Sequence, residues 1–288
     1  MNQRLQGMNI GFVGAGKIGN TLGKYFEQNN LCLSGYFDID TKAAKEAADF
    51  TSSKLYASIS GLVADSNVIF VTTTDNNIEK VWNSIKDLPI DGKILCHCSG
   101  ALSSSVFSGI RQKGAFGYST HPLFACSSKT ASYKSLYNAL FTIEGSPERM
   151  NDVERLFKEL GNSTKIIDSA EKVKYHAAAV FASNHIVALA GLGAGLFAQC
   201  GFSEEEAVKS VISLMKYTID NIENQGLAGA LTGPVERNDI STVKKHLEVL
   251  SNEEKNAYSV LSEILISIAK VKNPEKDYME LSRLLGYS

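Results

Sequence analysis

Six residues near the amino end, Gly14-Ala15-Gly16-Lys17-Ile18-Gly19, read G-x-G-x-x-G, and their flanks restrict what this chain can fold into more than any other feature. The apolar run Asn9–Val13 precedes them, and Ile18, Leu22, Tyr25 and Phe26 recur after them at i, i+4, i+7 and i+8, so the string joins a strand to an amphipathic helix. Each glycine then has its own task. Gly14 permits a tight turn, Gly16 lets the backbone approach a pyrophosphate, and Gly19 lets helix and strand pack closely. Free amides and the positive dipole end of the helix favour phosphate charge, which makes the whole stretch from Gly14 through Ala15, Lys17 and Ile18 to Gly19 the candidate cradle.

A second strand, Cys32–Asp38, ends in a carboxylate 19 residues beyond Gly19, near the spacing of a ribose-binding acid. Asp38 accepts from both ribose hydroxyls there and repels the 2′-phosphate of NADP, with no arginine beside it, so NAD is favoured over NADP. The alternative is an acid that only begins the turn Asp38-Ile39-Asp40, and Lys42 remains a cation able to meet a phosphate.

Further candidate strands follow at Val68–Thr72, Ile94–Cys98, Phe116–His121, Leu140–Glu144 and Lys165–Ile167, with Lys54–Tyr56 a weaker one, and helices fit between most of them. From about Ser169 the β-branched runs stop and long helical stretches take over, near 171–199, 204–224, 241–250 and 253–271. The expected fold is α/β: a Rossmann-type, mostly parallel sheet over residues 1–168, followed by an all-helical domain over residues 169–288. The first of these helices is apolar nearly all round and needs cover from its neighbours or from a second subunit, which points to a homodimer through the helical domain.

At 288 residues the chain suits two domains, and 44% hydrophobic with 21% charged residues is an ordinary globular balance. A net charge of -2 offers no basic field for nucleic acid, so small molecules are the expected ligands. The apolar run Ile186–Ala198 is shorter than a membrane crossing, and Met1–Gly7 is too short and polar for an export signal. Five scattered cysteines imply a reducing cytoplasm. Cys96 and Cys98 flank His97, but the spacing lacks C-x-x-C geometry and no second cluster adds ligands, so no metal is expected.

Ligands of open α/β sheets gather beyond the carboxyl ends of strands, which singles out Thr73-Thr74-Asp75, Cys98-Ser99-Gly100-Ala101 and Ser119-Thr120-His121-Pro122. Thr73 and Thr74 would line the cofactor. His121 is the acid–base candidate, since imidazole titrates near neutrality and hydride transfer to a carbonyl or from an alcohol also moves a proton; Ser99 would orient it.

The stretches His97-Cys98-Ser99-Gly100-Ala101, His121-Pro122-Leu123, Lys172 through Asn184, and Leu231-Thr232-Gly233-Pro234 through Arg237 and Asp239 resemble the Rossmann-like oxidoreductases that carry a carboxyl-terminal domain of unknown function numbered 2520. More distantly the layout is similar to pyrroline-carboxylate reductases, 6-phosphogluconate and β-hydroxyacid dehydrogenases, and prephenate dehydrogenases, whose cofactor domain precedes a helical, often dimerising one. The resemblance to prephenate-dehydrogenase-like enzymes implies an acid–base histidine at His121 assisted by the hydroxyl of Ser99. Two departures from the family pattern stand out: Thr74 where proline is common, and Ile39 where an arginine is common, the second again favouring NAD.

On the first helix of the second domain, His176 lies roughly 40° and Ser183 roughly 20° from Lys172, while Asn184 lies about 120° away. Lys172, His176 and Asn184 are candidates for catalysis, as the helix lysine and nearby asparagine of β-hydroxyacid dehydrogenases imply, and Ser183 for substrate binding. Arg237 is placed to clamp a substrate carboxylate with two hydrogen bonds, its alternative being a pair with Glu236 or Asp239. The expected chemistry is reversible hydride transfer between NAD(P) and a small, carboxylate-bearing carbonyl, imine or alcohol in a cleft between the domains. The rival is a non-catalytic module that binds the dinucleotide and reports redox state. A deazaflavin reductase using NADP is disfavoured by Asp38.

Overall fold

In a computed structural model that describes residues 7–286, the apolar runs form one 8-stranded sheet in the order β3-β2-β1-β4-β5-β6-β7-β8. The strands are β1 (Asn9–Val13), β2 (Cys32–Phe37), β3 (Lys54–Leu55), β4 (Val68–Val71), β5 (Ile94–His97), β6 (Phe116–Leu123), β7 (Leu140–Gly145) and β8 (Ser163–Ile166). All neighbours run parallel except β6 and β7. Each lies where its pattern predicts. Asp38, Thr72 and Cys98 fall just past their strands because they leave the ladder for loops at the carboxyl edge. The reading of Met1–Gly7 as no export signal falls almost wholly on Met1–Gln6, outside the described residues.

Helices α1 (Lys17–Gln28), α2 (Thr41–Phe50), α3 (Ile59–Asp65), α4 (Asp75–Ile85) and α5 (Met150–Glu159) cover both faces of the sheet. On one face Leu22, Phe26, Leu156 and Phe157 pack against Phe12, Phe70 and Phe141. On the other, Leu62, Ile78 and Trp82 pack against Val13, Ile69 and Leu95. Two covered faces explain why the central strands read as apolar runs rather than alternating ones, and each large side chain so buried contributes about 1.5–3 kcal/mol. Strand order reverses between β1 and β4, which opens a crevice at the carboxyl edge where α1 begins.

Past the sheet lie α6 (Lys172–Ala182), α7 (Asn184–Gln199), α8 (Glu204–Ala230), α9 (Pro234–Arg237), α10 (Ile240–Val249), α11 (Asn252–Lys272) and α12 (Met279–Leu284). The helix expected over 171–199 is broken: Ser183 leaves helical geometry at φ -132° and ψ -70°, and its hydroxyl bonds back to the Ala179 carbonyl. The chain divides into compact units Met1–Ser183 and Asn184–Ser288, which group α6 with the sheet. Composition registers helix content, whereas contacts count α6 with the sheet it touches. α8 continues past 224 with a kink at Gly226, and α9 and α12 are too short for periodicity to reveal.

In the second unit Val235, Val243, Ile266, Tyr278 and Leu281 form a core, and capping boxes at Ser203/Glu206 and Ser251/Glu254 start α8 and α11. Among the described residues, Val187 on α7 and Leu214 and Tyr217 on α8 are 73%, 62% and 67% exposed. By length and composition alone Ser169–Gln199 would suffice to cross a membrane, a match that counting only the run Ile186–Ala198 misses.

Asn162, just before β8, ties the segments ahead of β7 and β8 to α1. Its buried amide donates to the carbonyls of Leu136, Tyr137 and Ala139 and accepts from the Tyr25 hydroxyl. Asn162→Ala leaves several buried polar atoms unpaired and should lower unfolding free energy by about 3 kcal/mol in urea titration; a change under about 0.5 kcal/mol would show that water replaces these bonds.

Candidate functional site

The glycine loop is built as its sequence requires. Gly14 has φ +112°, and a side chain on it would meet the Thr72 carbonyl carbon at 2.8 Å. Its amide donates to the Phe37 carbonyl and its carbonyl accepts from Thr72 Oγ1, tying the ends of β1, β2 and β4 together. Gly16 precedes α1 with nothing closer than 3.9 Å where a side chain would stand. Buried Asn20 holds the loop from behind, donating to the carbonyls of Ala15 and Gly16. Lys17 is exposed, and Ile18 packs on the core. No side chain caps α1, and no acidic residue lies in its first turn.

Asp38 faces this loop. Its Oδ2 accepts from the Ala15 amide at 2.7 Å and its Oδ1 from the Asp40 amide at 2.9 Å, so it both starts the following turn and holds the glycine loop. Thr74 adopts φ -65°, the value a proline would fix, and α4 starts normally without one. Its Oγ1 accepts from Asn77, while Thr73 Oγ1 is buried with no partner. An orphaned hydroxyl beside a bare helix end fits a polar ligand in the crevice.

The second cluster gathers at the ends of β5 and β6, under α6. Lys172, only 1% exposed, points its ammonium inward and donates to the Ser99 carbonyl at 3.0 Å and to Ser119 Oγ at 2.7 Å. Burial pushes this ammonium down to about 8, against opposing pulls from Glu144, Cys98 and Asp75. One turn on, the Tyr175 hydroxyl lies 2.7 Å from His121 Nδ1, and the His176 ring stands 6.1 Å from that of His121 at 89°. Burial, then the charge of Lys172, then His176 and His97, pushes His121 down to about 4. His121 is a neutral imidazole at physiological pH, which corrects the expectation of titration near neutrality.

Ser99 does not orient His121. Its Oγ donates to Asp75 Oδ2 at 2.8 Å and accepts from the amides of Ala101 and Leu102, closing the turn after β5. Tyr175 takes the orienting part instead. Its signal in the sequence was its place between Lys172 and His176 on the same helix. Of the other candidates, Ser183 is exposed at the end of α6, and Asn184 opens α7 in the second unit. Arg237 is exposed on α9; hydrogen bonds from Asn273 and Thr242 hold the Glu236 and Asp239 carboxyls low, and Arg237 adds to both. Cys96 and His97 side chains point to opposite faces of β5, the thiol into one core and the ring against Phe107 in the other, so they cannot share a metal.

Residues 2–122 match the model of a Rossmann-like domain, and residues 139–264 match that of domain of unknown function 2520. The chain joins these two domains. Protein TM1727 from Thermotoga maritima is 28% identical, with 91% of this chain and 99% of that one covered at a TM-score of 0.70. BF3122 from Bacteroides fragilis, provisionally named an NADP oxidoreductase, is 20% identical, with 92% and 99% covered at 0.73. A pyrroline-5-carboxylate reductase from Coxiella burnetii is 10% identical, with 96% and 98% covered at 0.61. Imine reductases and reductive aminases share the fold, some bound to NADPH and one to NAD+. No curated protein matches the sequence.

His97 provides a test of the site's electrostatics. Fully buried between Ser99 and Ser103, it is pushed down from 6.5 to about 4, chiefly by burial. A histidine with a lowered folded value stabilises the fold fully above its unfolded value and loses that contribution as pH falls. Between pH 6.5 and 4 His97 should therefore account for about 3 kcal/mol of lost stability. In His97→Gln the slope of unfolding free energy against pH should flatten over that window; an unchanged slope would contradict the assignment.

Proposed function

We propose that this chain is a nicotinamide-dinucleotide-dependent oxidoreductase that moves a hydride between the dinucleotide and a small carbonyl, imine or alcohol. The observation that carries the proposal is the bare amino end of α1, uncapped and free of acidic residues, behind a loop whose glycines leave the approach open. Such an end is an anion site, and the orphaned Thr73 hydroxyl beside it fits a ligand rich in hydroxyls and phosphates. The neighbours named for nicotinamide chemistry support the same reading.

The dinucleotide, when bound, would supply or take the hydride. Gly14 to Gly19 would hold its pyrophosphate, Asp38 the adjoining ribose, and Thr73 and Thr74 the edge beyond β4. His121 hydrogen-bonds the reacting group and carries its proton together with Tyr175. Lys172 fixes the ends of β5 and β6 beneath them, and His176 lies alongside. A carboxylate on the substrate is assigned to Arg237, whose guanidinium is exposed. NAD is preferred, because the Asp38 carboxylate accepts from hydroxyls and repels a 2′-phosphate. Five free thiols suit a reducing cytoplasm.

A second copy of the chain is proposed to cover α7 and α8, whose apolar side chains Val187, Leu214 and Tyr217 are exposed. Sedimentation should give twice the 31.2 kDa chain mass, and Leu214→Glu should reduce it to one; a monomeric wild type would contradict the pairing.

In calorimetric titration, Asp38→Ala should weaken NAD at least about tenfold while weakening NADP less, consistent with loss of a bidentate acceptor. His121→Ala should cut turnover by about 10²–10⁴ with NAD affinity unchanged. Tight dinucleotide binding with no turnover across acids, ketones, imines and alcohols would favour the redox-reporting alternative, and no binding of either dinucleotide would end both.

A further inference from the structure

A methyl group on Gly100 would stand 2.4 Å from His176 Nδ1 and 3.0 Å from His121 Nε2, so two ring nitrogens converge on the face of Gly100, where no side chain fits. His176 Nδ1 is buried and has no hydrogen-bond partner, a state that a bound polar atom would relieve. His121 Nδ1, by contrast, is taken by the Tyr175 hydroxyl. Burial keeps that phenol protonated. A phenol is a stronger acid than a neutral imidazole N–H, and an imidazole nitrogen is the stronger base, so the hydroxyl donates and Nδ1 accepts. The single ring proton of His121 therefore sits on Nε2, facing Gly100.

The charges nearby agree with that polarity. The Lys172 ammonium is fixed on Ser119, two residues from His121 along β6. Glu144 and Asp75 draw on that ammonium through space, but each is hydrogen-bonded elsewhere, Glu144 to the Ser104 amide and hydroxyl and Asp75 to Ser99 Oγ. A donor N–H beside a fixed cation suits an oxygen that gains negative charge and disfavours an iminium, which brings both a positive charge and an N–H of its own.

Resting on the hydride-transfer reading, we infer that the reacting group is an uncharged carbonyl, or the alcohol it becomes, with its oxygen at His121 Nε2 over Gly100 and His176 Nδ1 alongside, and that protonated imines are refused. In the reducing direction the carbonyl carbon takes the hydride, the C=O π bond gives way to a C–H bond, and the reduced dinucleotide is oxidised. The oxygen draws the Nε2 proton as the Tyr175 hydroxyl proton crosses to Nδ1; a proton from water then enters at Nε2 while the Nδ1 proton returns to the tyrosinate, which restores both groups. Tyr175 acts here as a positioning residue for His121, and a neutral imidazole kept from protonation is suited to polarising a carbonyl.

Long-range ¹H–¹⁵N spectra of protein labelled in histidine test this without any turnover. His121 should show an unprotonated Nδ1 and a protonated Nε2, and Tyr175→Phe should abolish that preference; a proton on Nδ1 in the wild type would overturn the inference. With dinucleotide present, ketones or secondary alcohols should be turned over and cyclic imines should not. Gly100→Ala should reduce ketone turnover on the order of 100-fold at unchanged dinucleotide affinity, and His176→Ala, which opens space instead of filling it, should reduce it at least about tenfold. A preference for imines would overturn the inference while leaving the hydride reading intact. Absence of dinucleotide binding would remove the hydride reading, with the tautomer still deciding the polarity of the His121 site.

Discussion

An ammonium taken out of water costs several kcal/mol unless its protons find acceptors, and Lys172 meets that cost with the Ser99 carbonyl and the Ser119 hydroxyl. This contact pins the first turn of α6 to the ends of β5 and β6. Tyr175 and His176, one turn along, are then set above Gly100 and beside His121. Burial holds His121 in its neutral form, and the same Lys172 charge adds to that effect.

The two clusters share one edge of one sheet. Thr72 links the glycine loop to the end of β4, and Asp75, at the start of the helix after β4, reaches Ser99 at the end of β5. The chain segment from Thr72 to Asp75 thus joins the glycine loop to the turn that carries Gly100, with a hydrogen bond at each end. That continuity gives a hydride-transfer reading its physical basis: the anion site and the proton-handling site are built on adjacent strand ends of a rigid scaffold, where ligands of such sheets collect.

Much of this was legible in the sequence, and the losses have physical causes. Strands such as Asn9–Val13 stood out because burial on both faces demands unbroken apolar runs. The glycine loop stood out because close approach and positive φ admit few other residues. Helical angle sets Lys172 and His176 on one face of α6, but periodicity cannot tell that this helix groups with the preceding sheet. The break at Ser183 was invisible for the same reason: both sides of it keep an apolar helical pattern. Ser99 was assigned to His121 because two polar residues at neighbouring strand ends look like partners, but a serine after a strand has backbone amides of its own turn within closer reach. Tyr175 was passed over because an aromatic on a helix is usually core, and only the fold brings its hydroxyl to His121.

The measurement closest to the central claim is the backbone amide spectrum of ¹⁵N-labelled protein during titration with NAD. The resonances of Gly16, Lys17 and Ile18 should shift and saturate together as their free amides meet the pyrophosphate, with those of Ser99 and Gly100 following as the far end of the ligand reaches β5. Unmoved amides at the start of α1, at ligand concentrations that shift signals elsewhere, would contradict the account.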